Sequence, residues 1–361
     1  MEELDFNSSS SEVEYELDLK RVQRLLEGLN VRRVLLQMPD GLKRLSSLVI
    51  DELERAGAEV ILDSGHTWGI CDLPLHRARL VGADIIIHYG HLDLKGYIEI
   101  DGIKVIAVPA YYKREISLEV LEELARTLRA YKRVGLSSSI QHVRELLRVG
   151  KYLKNEGFDV YIGKPKLSNF KAGQVTGCDL SAPLLINDYV DVHVCISGGI
   201  FHAVGIAIAT NKVTFSLDPY RGIIEHSRIE KFLKKTLAKK LYDLMIAMES
   251  KKFGVIVSQK LGQCKLALAF KIKEKLEKNG RKAILIALDE VEPATLINVP
   301  DIEVFVNTAC PRLAIDELES FKDITLINSS EVEYVISGRL DDYTLKKAIS
   351  WSMNLNFMKT A

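Results

Sequence analysis

The sequence predicts an α/β protein made of three similar domains, each with a parallel sheet. Three segments begin alike, with an apolar run that ends in a polar turn, and they start about 100–120 residues apart. A helical pattern and then a glycine follow each run, and two further apolar strands come later. A strand, a helix and a second parallel strand require a right-handed crossover. We therefore expect a pseudo-threefold, triplicated architecture.

The elements follow the same order in each segment. The first strands with their turns are predicted at residues 33–43, 133–141 and 253–263, and the helices at roughly 43–56, 140–155 and 264–278. The helices are expected to stop at Gly57, Gly157 and Gly280. Second strands are predicted at 59–62, 159–162 and 282–286, and third strands at 83–88, 190–195 and 302–307.

These repeats give the domain boundaries. We expect a flexible tail at residues 1–12 and domains at 13–127, 128–245 and 246–361. Residues 227–251 are predicted to form one long amphipathic helix. Its packed face is expected to carry Phe232, Leu233, Leu237, Leu241, Leu244, Met245 and Met248. The basic run at 231–240 is expected to be a solvated helix face.

Composition excludes several classes of function. The chain has 361 residues, 47% hydrophobic and 27% charged, with 49 basic and 49 acidic residues. That balance is typical of a globular protein, and the zero net charge argues against direct nucleic-acid binding. No signal peptide or membrane-spanning run is recognised, so a cytoplasmic protein is expected.

Each predicted domain contributes one loop cysteine. Cys71 and Cys178 both occur in a Cys-Asp-Leu sequence near a glycine, and Cys310 follows the third strand of the last domain. Cys195 lies inside an apolar strand and is expected to be a core residue, whereas Cys264 has either a packing or a near-site role. Asp72 and Asp179, next to two of these cysteines, are expected to cap helix starts.

The cysteines have two interpretations. A free cysteine is commonly buried and inert, and no CxxC or zinc-ligand spacing is present. However, three domains can face a common centre, and each would bring one thiolate to it. Three thiolates suit a [4Fe–4S] cluster with one iron open to a substrate. A central cluster site is therefore the sharper hypothesis.

The motifs resemble archaeal-type diphthamide synthase over about residues 13–345. The similar segments are 37–42, 69–73, 83–91, 173–180, 198–203, 218–220 and 306–312. The resemblance implies that Cys71, Cys178 and Cys310 hold a [4Fe–4S] cluster. It also implies that S-adenosylmethionine binds at the open iron and is cleaved at its sulfur–Cγ bond. Methylthioadenosine and a 3-amino-3-carboxypropyl radical result, and the radical adds to a histidine of translation elongation factor 2. A homodimer and an external electron donor are implied as well.

Ligand contacts are expected at the carboxyl ends of the strands, where parallel sheets bind ligands. Glycines there allow backbone amides to approach a ligand, glutamines can bond its polar groups, and Arg312 can hold a carboxylate or tune the cluster. His88 and His91 are expected to line the pocket or bond locally rather than to bind zinc. The candidate ligand-binding residues are Gln37, Pro39, Gly41, Gly90, His91, Gly198, Gly199, His202, Gln263 and Arg312. No catalytic residue beyond the cluster ligands is assigned.

Two alternatives stay open. Three α/β domains with one cysteine each are also similar to quinolinate synthase, a cluster-dependent lyase without radical chemistry. A scaffold subunit that binds elongation factor 2 or a paralogue is the other alternative, although a scaffold would not need all three cysteines. The reaction product discriminates the two enzymes: methylthioadenosine or quinolinate.

Overall fold

The computed structural model describes residues 14–299 and 301–349. Within these ranges the strands form three sheets dominated by parallel pairs, and one two-stranded antiparallel pair. The predicted α/β fold with parallel sheets is therefore confirmed. The predicted flexible tail at residues 1–12 lies outside the described residues.

The first unit contains a sheet of order β3-β2-β4-β6-β5 and the antiparallel pair β1-β7. Its strands are β1 (Tyr15–Glu16), β2 (Arg33–Gln37), β3 (Glu59–Asp63), β4 (Ile85–Tyr89), β5 (Ile98–Ile100), β6 (Ile103–Val108) and β7 (Tyr111–Tyr112). Its helices are α1 (Leu19–Glu27), α2 (Ser46–Arg55), α3 (Leu75–Leu80) and α4 (Leu118–Thr127). Short 3₁₀ turns occupy Asp40–Leu45 and Ile70–Asp72.

The second unit contains a sheet of order β9-β8-β10-β11-β12. Its strands are β8 (Arg133–Ser138), β9 (Asp159–Tyr161), β10 (Val192–Ile196), β11 (Thr214–Asp218) and β12 (Ile223–Glu225). Its helices are α5 (Glu145–Asn155), α6 (Ser181–Leu185), α7 (Phe201–Thr210) and α8 (Ser227–Glu249). Short 3₁₀ turns occupy Ile140–His142 and Asn187–Tyr189.

The third unit contains a sheet of order β14-β13-β15-β16. Its strands are β13 (Lys252–Ser258), β14 (Lys282–Leu288), β15 (Val304–Asn307) and β16 (Leu326–Asn328). Its helices are α9 (Leu266–Lys278), α10 (Pro293–Ile297), α11 (Leu313–Asp316), α12 (Val332–Ser337) and α13 (Leu345–Ala348), with a 3₁₀ turn at Ser329–Glu331.

The three sheets share one strand order. In each, the second strand, the first, the third and one later strand are neighbours, all in parallel. The later strand is the fourth in the second and third units, whereas in the first unit it is β6, because β5 forms an antiparallel edge. The first crossover helix ends at the predicted glycine in every unit, where Gly57, Gly157 and Gly280 have φ of 88°, 88° and 75°. Glycine adopts this left-handed conformation at little cost, so it ends the helix and turns the chain back to the sheet.

An acidic residue fastens the amino ends of the strands in every unit. It precedes the third strand and accepts hydrogen bonds from two backbone N–H groups at the start of the first strand. The acceptors are Asp84 (2.9 and 2.8 Å), Asp191 (3.2 and 2.8 Å) and Glu303 (2.6 and 3.3 Å). The backbone N–H groups hold the pKa of Asp84 and Glu303 below its usual range, and the Arg133 guanidinium, followed by the N–H groups, does the same for the pKa of Asp191. We call these three contacts the acidic staples.

The boundary predicted at 127 coincides with the end of α4, and the one at 245 falls inside α8. Helix α7 is buried along most of its length and packs against α8. A single apolar core there joins the second and third sheets, and the predicted core residue Cys195 belongs to it. The division into three domains at these residues stays a prediction.

Helix α8 corrects two predictions. Met245 was expected on the packed face, but it is 62% exposed. Lys240 was expected on a solvated face, but its side chain and that of Glu331 are both 0% exposed and lie 2.7 Å apart. The Lys240 ammonium also donates to the Leu326 carbonyl at 3.0 Å. A buried charge needs a partner, and this one ties α8 to the third unit.

In the described part of the chain, none of the helices combines the length and the apolar character required to cross a bilayer.

Candidate functional site

A cavity of about 840 Å³ is lined by residues from all three units. The three loop cysteines, Cys71, Cys178 and Cys310, are all on its wall. They reach it because the loops that follow parallel strands gather at the carboxyl edge of each sheet. The volume lies within the range of ordinary small-molecule sites.

The Cys71 loop is buried and held by the third unit. The backbone N–H of Gly262 donates to the Cys71 carbonyl at 2.8 Å, and Gln263 Nε2 lies 3.5 Å from the Cys71 sulfur. A Cβ added at Gly262 would lie 2.5 Å from Cys71 Cβ, so only glycine permits this approach. The turn after β13 thus positions a cysteine of another unit.

An ion pair strengthens the same contact. Lys260 Nζ lies 2.7 Å from Asp72 Oδ2 and 2.5 Å from Glu290 Oε1. Both Lys260 and Asp72 side chains are 5% exposed. Asp72 was expected to cap a helix, but its carboxylate is committed to this buried cation instead. Burial raises the pKa of Asp72, and the neighbouring ammonium opposes that change.

The Cys178 loop is held by its own unit. Thr176 Oγ1 lies 3.8 Å from the Cys178 sulfur and accepts the backbone N–H of Asp179 at 3.0 Å. The Asp179 carboxylate accepts the backbone N–H of Ser181 at 2.9 Å, where α6 begins. Asp179 was expected to cap a helix start, but the N-cap position of α6 is Leu180 and has no side-chain cap bond, so Asp179 bonds the first helical residue from one position further out.

The Cys310 loop contacts the second unit through Arg312. Asn307 Nδ2 donates to the Cys310 carbonyl at 2.7 Å and so fixes the backbone of the loop. The Arg312 guanidinium forms a two-point contact with Asp316 and donates to the Phe201 carbonyl at 2.8 Å. It also lies 4.1 Å above the Phe201 ring. Nη1 has no partner among the described residues, so most of the predicted carboxylate fork is already occupied.

The thiols are in an apolar environment. Burial raises the pKa of Cys71 to about 12 and raises the pKa of Cys310 as well. Such thiols are neutral at pH 7 and become thiolates when they bind a metal. Within residues 14–299 and 301–349, no group of three or more His, Cys, Asp or Glu side chains is placed to hold a metal ion.

An iron–sulfur cluster requires a different placement of its ligands from a single metal ion. Its thiolate ligands bind separate irons, so the sulfurs need to line one cavity rather than converge on one point. Three thiols on the wall of one cavity meet that demand. The donor set therefore fits an iron–sulfur cluster.

Buried polar side chains connect the Cys71 loop with the cavity at a second place. Gln37 and His88 are paired in register on β2 and β4, with Gln37 Oε1 2.6 Å from His88 Nδ1. Gln37 Nε2 donates to the Asp72 carbonyl at 2.7 Å, and His88 Nε2 lies 2.9 Å from His91 Nδ1. His91 lines the cavity, whereas Gln37 lies behind it.

Seven of the ten predicted ligand-binding residues line the cavity: Pro39, Gly41, Gly90, His91, His202, Gln263 and Arg312. Gln37, Gly198 and Gly199 are not part of that wall. A Cβ at Gly198 would lie 2.8 Å from the Tyr220 ring, and the Gly199 N–H donates to Asp218 at 2.9 Å. These glycines thus support Tyr220 and Asp218. The assignment of the ten residues to ligand binding stays a prediction.

Sequence reasoning missed Gln141, Gln174 and Lys260, which also line the cavity. Gln141 Nε2 donates to the Gly90 carbonyl, and Gln174 Nε2 donates to the His91 carbonyl at 3.2 Å. The position of Gln141 in the turn after a first strand was an available signal, because Gln37 and Gln263 occupy similar positions. Nothing in the local sequence marks Lys260, whose partner is 188 residues away.

Comparison with known proteins identifies relatives over nearly the whole chain. The family model described as "Putative diphthamide synthesis protein" matches residues 38–345. The 2-(3-amino-3-carboxypropyl)histidine synthase of Pyrococcus horikoshii is 32% identical over 329 residues, covering 91% of this chain and 92% of that protein. Subunit 1 of the human enzyme is 27% identical over 312 residues, covering 84% and 68%.

A solved structure agrees with these matches. The crystal structure of Dph2 from Pyrococcus horikoshii with a 4Fe-4S cluster superposes with a TM-score of 0.78 at 31% identity. It covers 94% of this chain and 98% of the solved one. Sequence and fold thus point to the same relatives, and the chain belongs to the diphthamide synthesis family.

Proposed function

We propose that this chain transfers the 3-amino-3-carboxypropyl group from S-adenosylmethionine to a histidine of translation elongation factor 2, the first step of diphthamide biosynthesis. The observation that carries the proposal is the set of three cysteines, one from each unit, on the wall of one cavity. The activities for which the relatives are named, and the cluster in the Pyrococcus horikoshii structure, support it.

Cys71, Cys178 and Cys310 are the proposed cluster ligands. When bound, a [4Fe–4S] cluster supplies the electron that cleaves the sulfur–Cγ bond, giving methylthioadenosine and a 3-amino-3-carboxypropyl radical. The residues of this chain hold the ligands in place: Gly262 and Lys260 fix the Cys71 loop, and Asn307 fixes the Cys310 loop.

The cavity wall supplies the contacts for S-adenosylmethionine. Gln263 and His202 place polar groups on that wall, and Phe201 adds an aromatic ring. An aromatic face attracts a cation, and the sulfonium of S-adenosylmethionine is a cation. An external electron donor, a homodimer and a cytoplasmic location belong to the same proposal.

The test is a single-turnover reaction under anaerobic conditions. Reconstituted protein is mixed with dithionite, S-adenosylmethionine and purified elongation factor 2. We expect methylthioadenosine in solution and a mass increase on elongation factor 2 equal to one 3-amino-3-carboxypropyl group on a histidine. The Cys178→Ala variant, reconstituted in parallel, is expected to give neither product.

The possible results separate the alternatives. Methylthioadenosine without modification of elongation factor 2 would contradict the protein substrate and leave the cleavage reaction. A cluster that does not cleave S-adenosylmethionine would favour a lyase similar to quinolinate synthase. Protein that takes up no cluster at all would favour the scaffold alternative.

A further inference from the structure

The side chains of Gln37, His88 and His91 form a hydrogen-bonded chain that ends in the cavity. The chain begins at the Asp72 carbonyl, which accepts from Gln37 Nε2 at 2.7 Å. It continues with 2.6 Å between Gln37 Oε1 and His88 Nδ1, and with 2.9 Å between His88 Nε2 and His91 Nδ1. Gln37 and His88 are completely buried, so the partners of each atom are fixed by the protein.

The directions of these bonds follow from the first one. A carbonyl only accepts, so the amide nitrogen of Gln37 faces Asp72 and its oxygen faces His88. His88 Nδ1 must therefore donate. In a neutral ring the other nitrogen, His88 Nε2, is then an acceptor, and His91 Nδ1 must donate to it. Nε2 of a neutral His91 is left without a proton.

Both rings are neutral at pH 7. Burial lowers the pKa of His88 well below its usual value, and burial lowers the pKa of His91 to about 4. His91 lines the cavity, and within the described residues its ring makes one side-chain hydrogen bond, through Nδ1, and also contacts the Tyr89 backbone. The unprotonated Nε2 of His91 thus offers a lone pair to a ligand bound in the cavity.

The segment that carries His91 is held from outside its own unit. The carbonyls of Gly90 and His91 accept hydrogen bonds from Gln141 and Gln174 of the second unit. Gly90 has φ of 91°, and a Cβ there would lie 2.8 Å from Pro39 Cγ. The backbone around His91 and the tautomer of its ring are therefore both fixed, as expected of a preorganised functional group.

The proposed reaction requires a proton acceptor. A carbon–carbon bond forms between the transferred Cγ and a ring carbon of the target histidine, the sulfur–Cγ bond breaks, and the ring C–H bond breaks. The sulfur leaves as a neutral thioether and the ring carbon releases H⁺. The electron that initiates cleavage is recovered when the ring regains its aromaticity, so the overall transfer is redox-neutral and needs no further oxidant.

We propose that His91 is a catalytic residue whose Nε2 accepts the proton released from the ring carbon of the target histidine. This inference rests on the proposed function. His88 and Gln37 are positioning residues, because they act on the substrate only by fixing the tautomer of His91.

The test compares His91→Asn with His76→Asn. Asparagine can keep the donor to His88 but has no acceptor at the place of Nε2, whereas His76 is exposed on α3 and outside the cavity wall. We expect His91→Asn to keep its iron, and we expect transfer to elongation factor 2, measured relative to methylthioadenosine formation, to slow about 10²-fold. Deuterium at the target ring carbon should slow transfer several-fold more in His91→Asn than in wild type.

Different results would contradict the proposed function and the inference about His91. Wild type that forms no methylthioadenosine contradicts the proposed function and this inference with it. Methylthioadenosine formation and transfer at wild-type rates in His91→Asn overturn the inference alone. His76→Asn is expected to behave like wild type throughout.

Histidine ¹⁵N spectra of the wild-type protein report the protonation of the rings without an activity assay, and the spectrum of His91→Asn assigns the His91 signal. We expect the signal that His91→Asn removes to show a protonated Nδ1 and an unprotonated Nε2 at pH 7. A protonated Nε2 would overturn the proposal, because that atom could then accept nothing.

Discussion

The amino ends and the carboxyl ends of the three sheets are built differently. At the amino ends, Asp84, Asp191 and Glu303 make the same contact in every unit. At the carboxyl ends, each cysteine loop is held in its own way, and the Cys71 loop is held by the third unit. The repeated end therefore stabilises each unit by itself, whereas the unrepeated end joins the units around the cavity.

Replacing Lys260 by Met is expected to have the largest effect. Asp72 would stay buried without its cation, and breaking a buried pair costs about 3–5 kcal/mol. Because the pair joins two units beside Cys71, iron content should fall together with stability. Urea unfolding and iron analysis measure the two effects. The double variant with Asp72→Asn should recover part of the stability, and no recovery would mean that the pair is not coupled.

Gly262→Ala tests the close approach to Cys71. The new methyl group would meet Cys71 Cβ at 2.5 Å, so the turn after β13 must move away. Overpacking of this kind costs about 1–3 kcal/mol. We expect slower cluster incorporation, measured by visible absorbance during reconstitution. Gly96→Ala is the matched control because nothing lies within 4 Å of its Cβ position; equal effects in both variants would contradict the role of Gly262.

The acidic staples give a smaller effect without a functional consequence. Asp84→Asn, Asp191→Asn and Glu303→Gln each remove a charged acceptor for two N–H groups, at a cost of about 1 kcal/mol apiece. Unfolding by urea should show additive losses, largest for Asp191→Asn because Arg133 also binds that carboxylate, with iron content unchanged. A loss of iron from any one of these variants would contradict the claim that the amino ends of the sheets stabilise the fold without affecting the cavity.

The staples also predict a pH dependence. The pKa of Asp191 is about 2 in the folded chain because Arg133 and backbone N–H groups bind its charged form. A lowered pKa stabilises the fold above the unfolded value, near 4, and the contribution is lost as the pH falls toward 2. The stability difference between wild type and Asp191→Asn should therefore shrink from pH 5 to pH 2, as followed by thermal unfolding.

The smallest effect is expected at the locally held cysteine. Thr176→Val removes a weak contact to Cys178 and the hydroxyl that accepts the Asp179 N–H. A hydrogen bond of this kind contributes about 1 kcal/mol or less. We expect a small loss of stability and nearly full iron content. An effect as large as that of Lys260→Met would show that the Cys178 loop also depends on more than its own unit.

The sequence predicted what depends on local pattern. The three glycines ended their helices as expected, since a left-handed turn after an apolar period is a local requirement. The sequence analysis placed each acid as the second residue of a predicted third strand and assigned it no role, because its partners are more than 50 residues away. Lys240 lies in a basic run whose pattern predicts a solvated helix face, and only the fold shows that Glu331 pairs with it.

The residues of the candidate site also divide into those that the sequence predicted and those that only the fold brings together. Sequence motifs gave the three cysteines and seven residues of the cavity wall. They did not give Lys260 or the order Gln37, His88, His91, because both arise where distant segments meet. Tertiary contacts between distant segments leave no periodicity in the chain.

The most direct measurement is iron and acid-labile sulfide in anaerobically reconstituted wild type, Cys71→Ala, Cys178→Ala, Cys310→Ala and Cys195→Ala. About four irons per chain are expected in wild type. Each of the three cavity variants should lose the cluster, whereas Cys195→Ala should keep it, because Cys195 is fully buried in the core. Loss of iron from Cys195→Ala with retention in Cys178→Ala would contradict the assignment of one ligand to each unit.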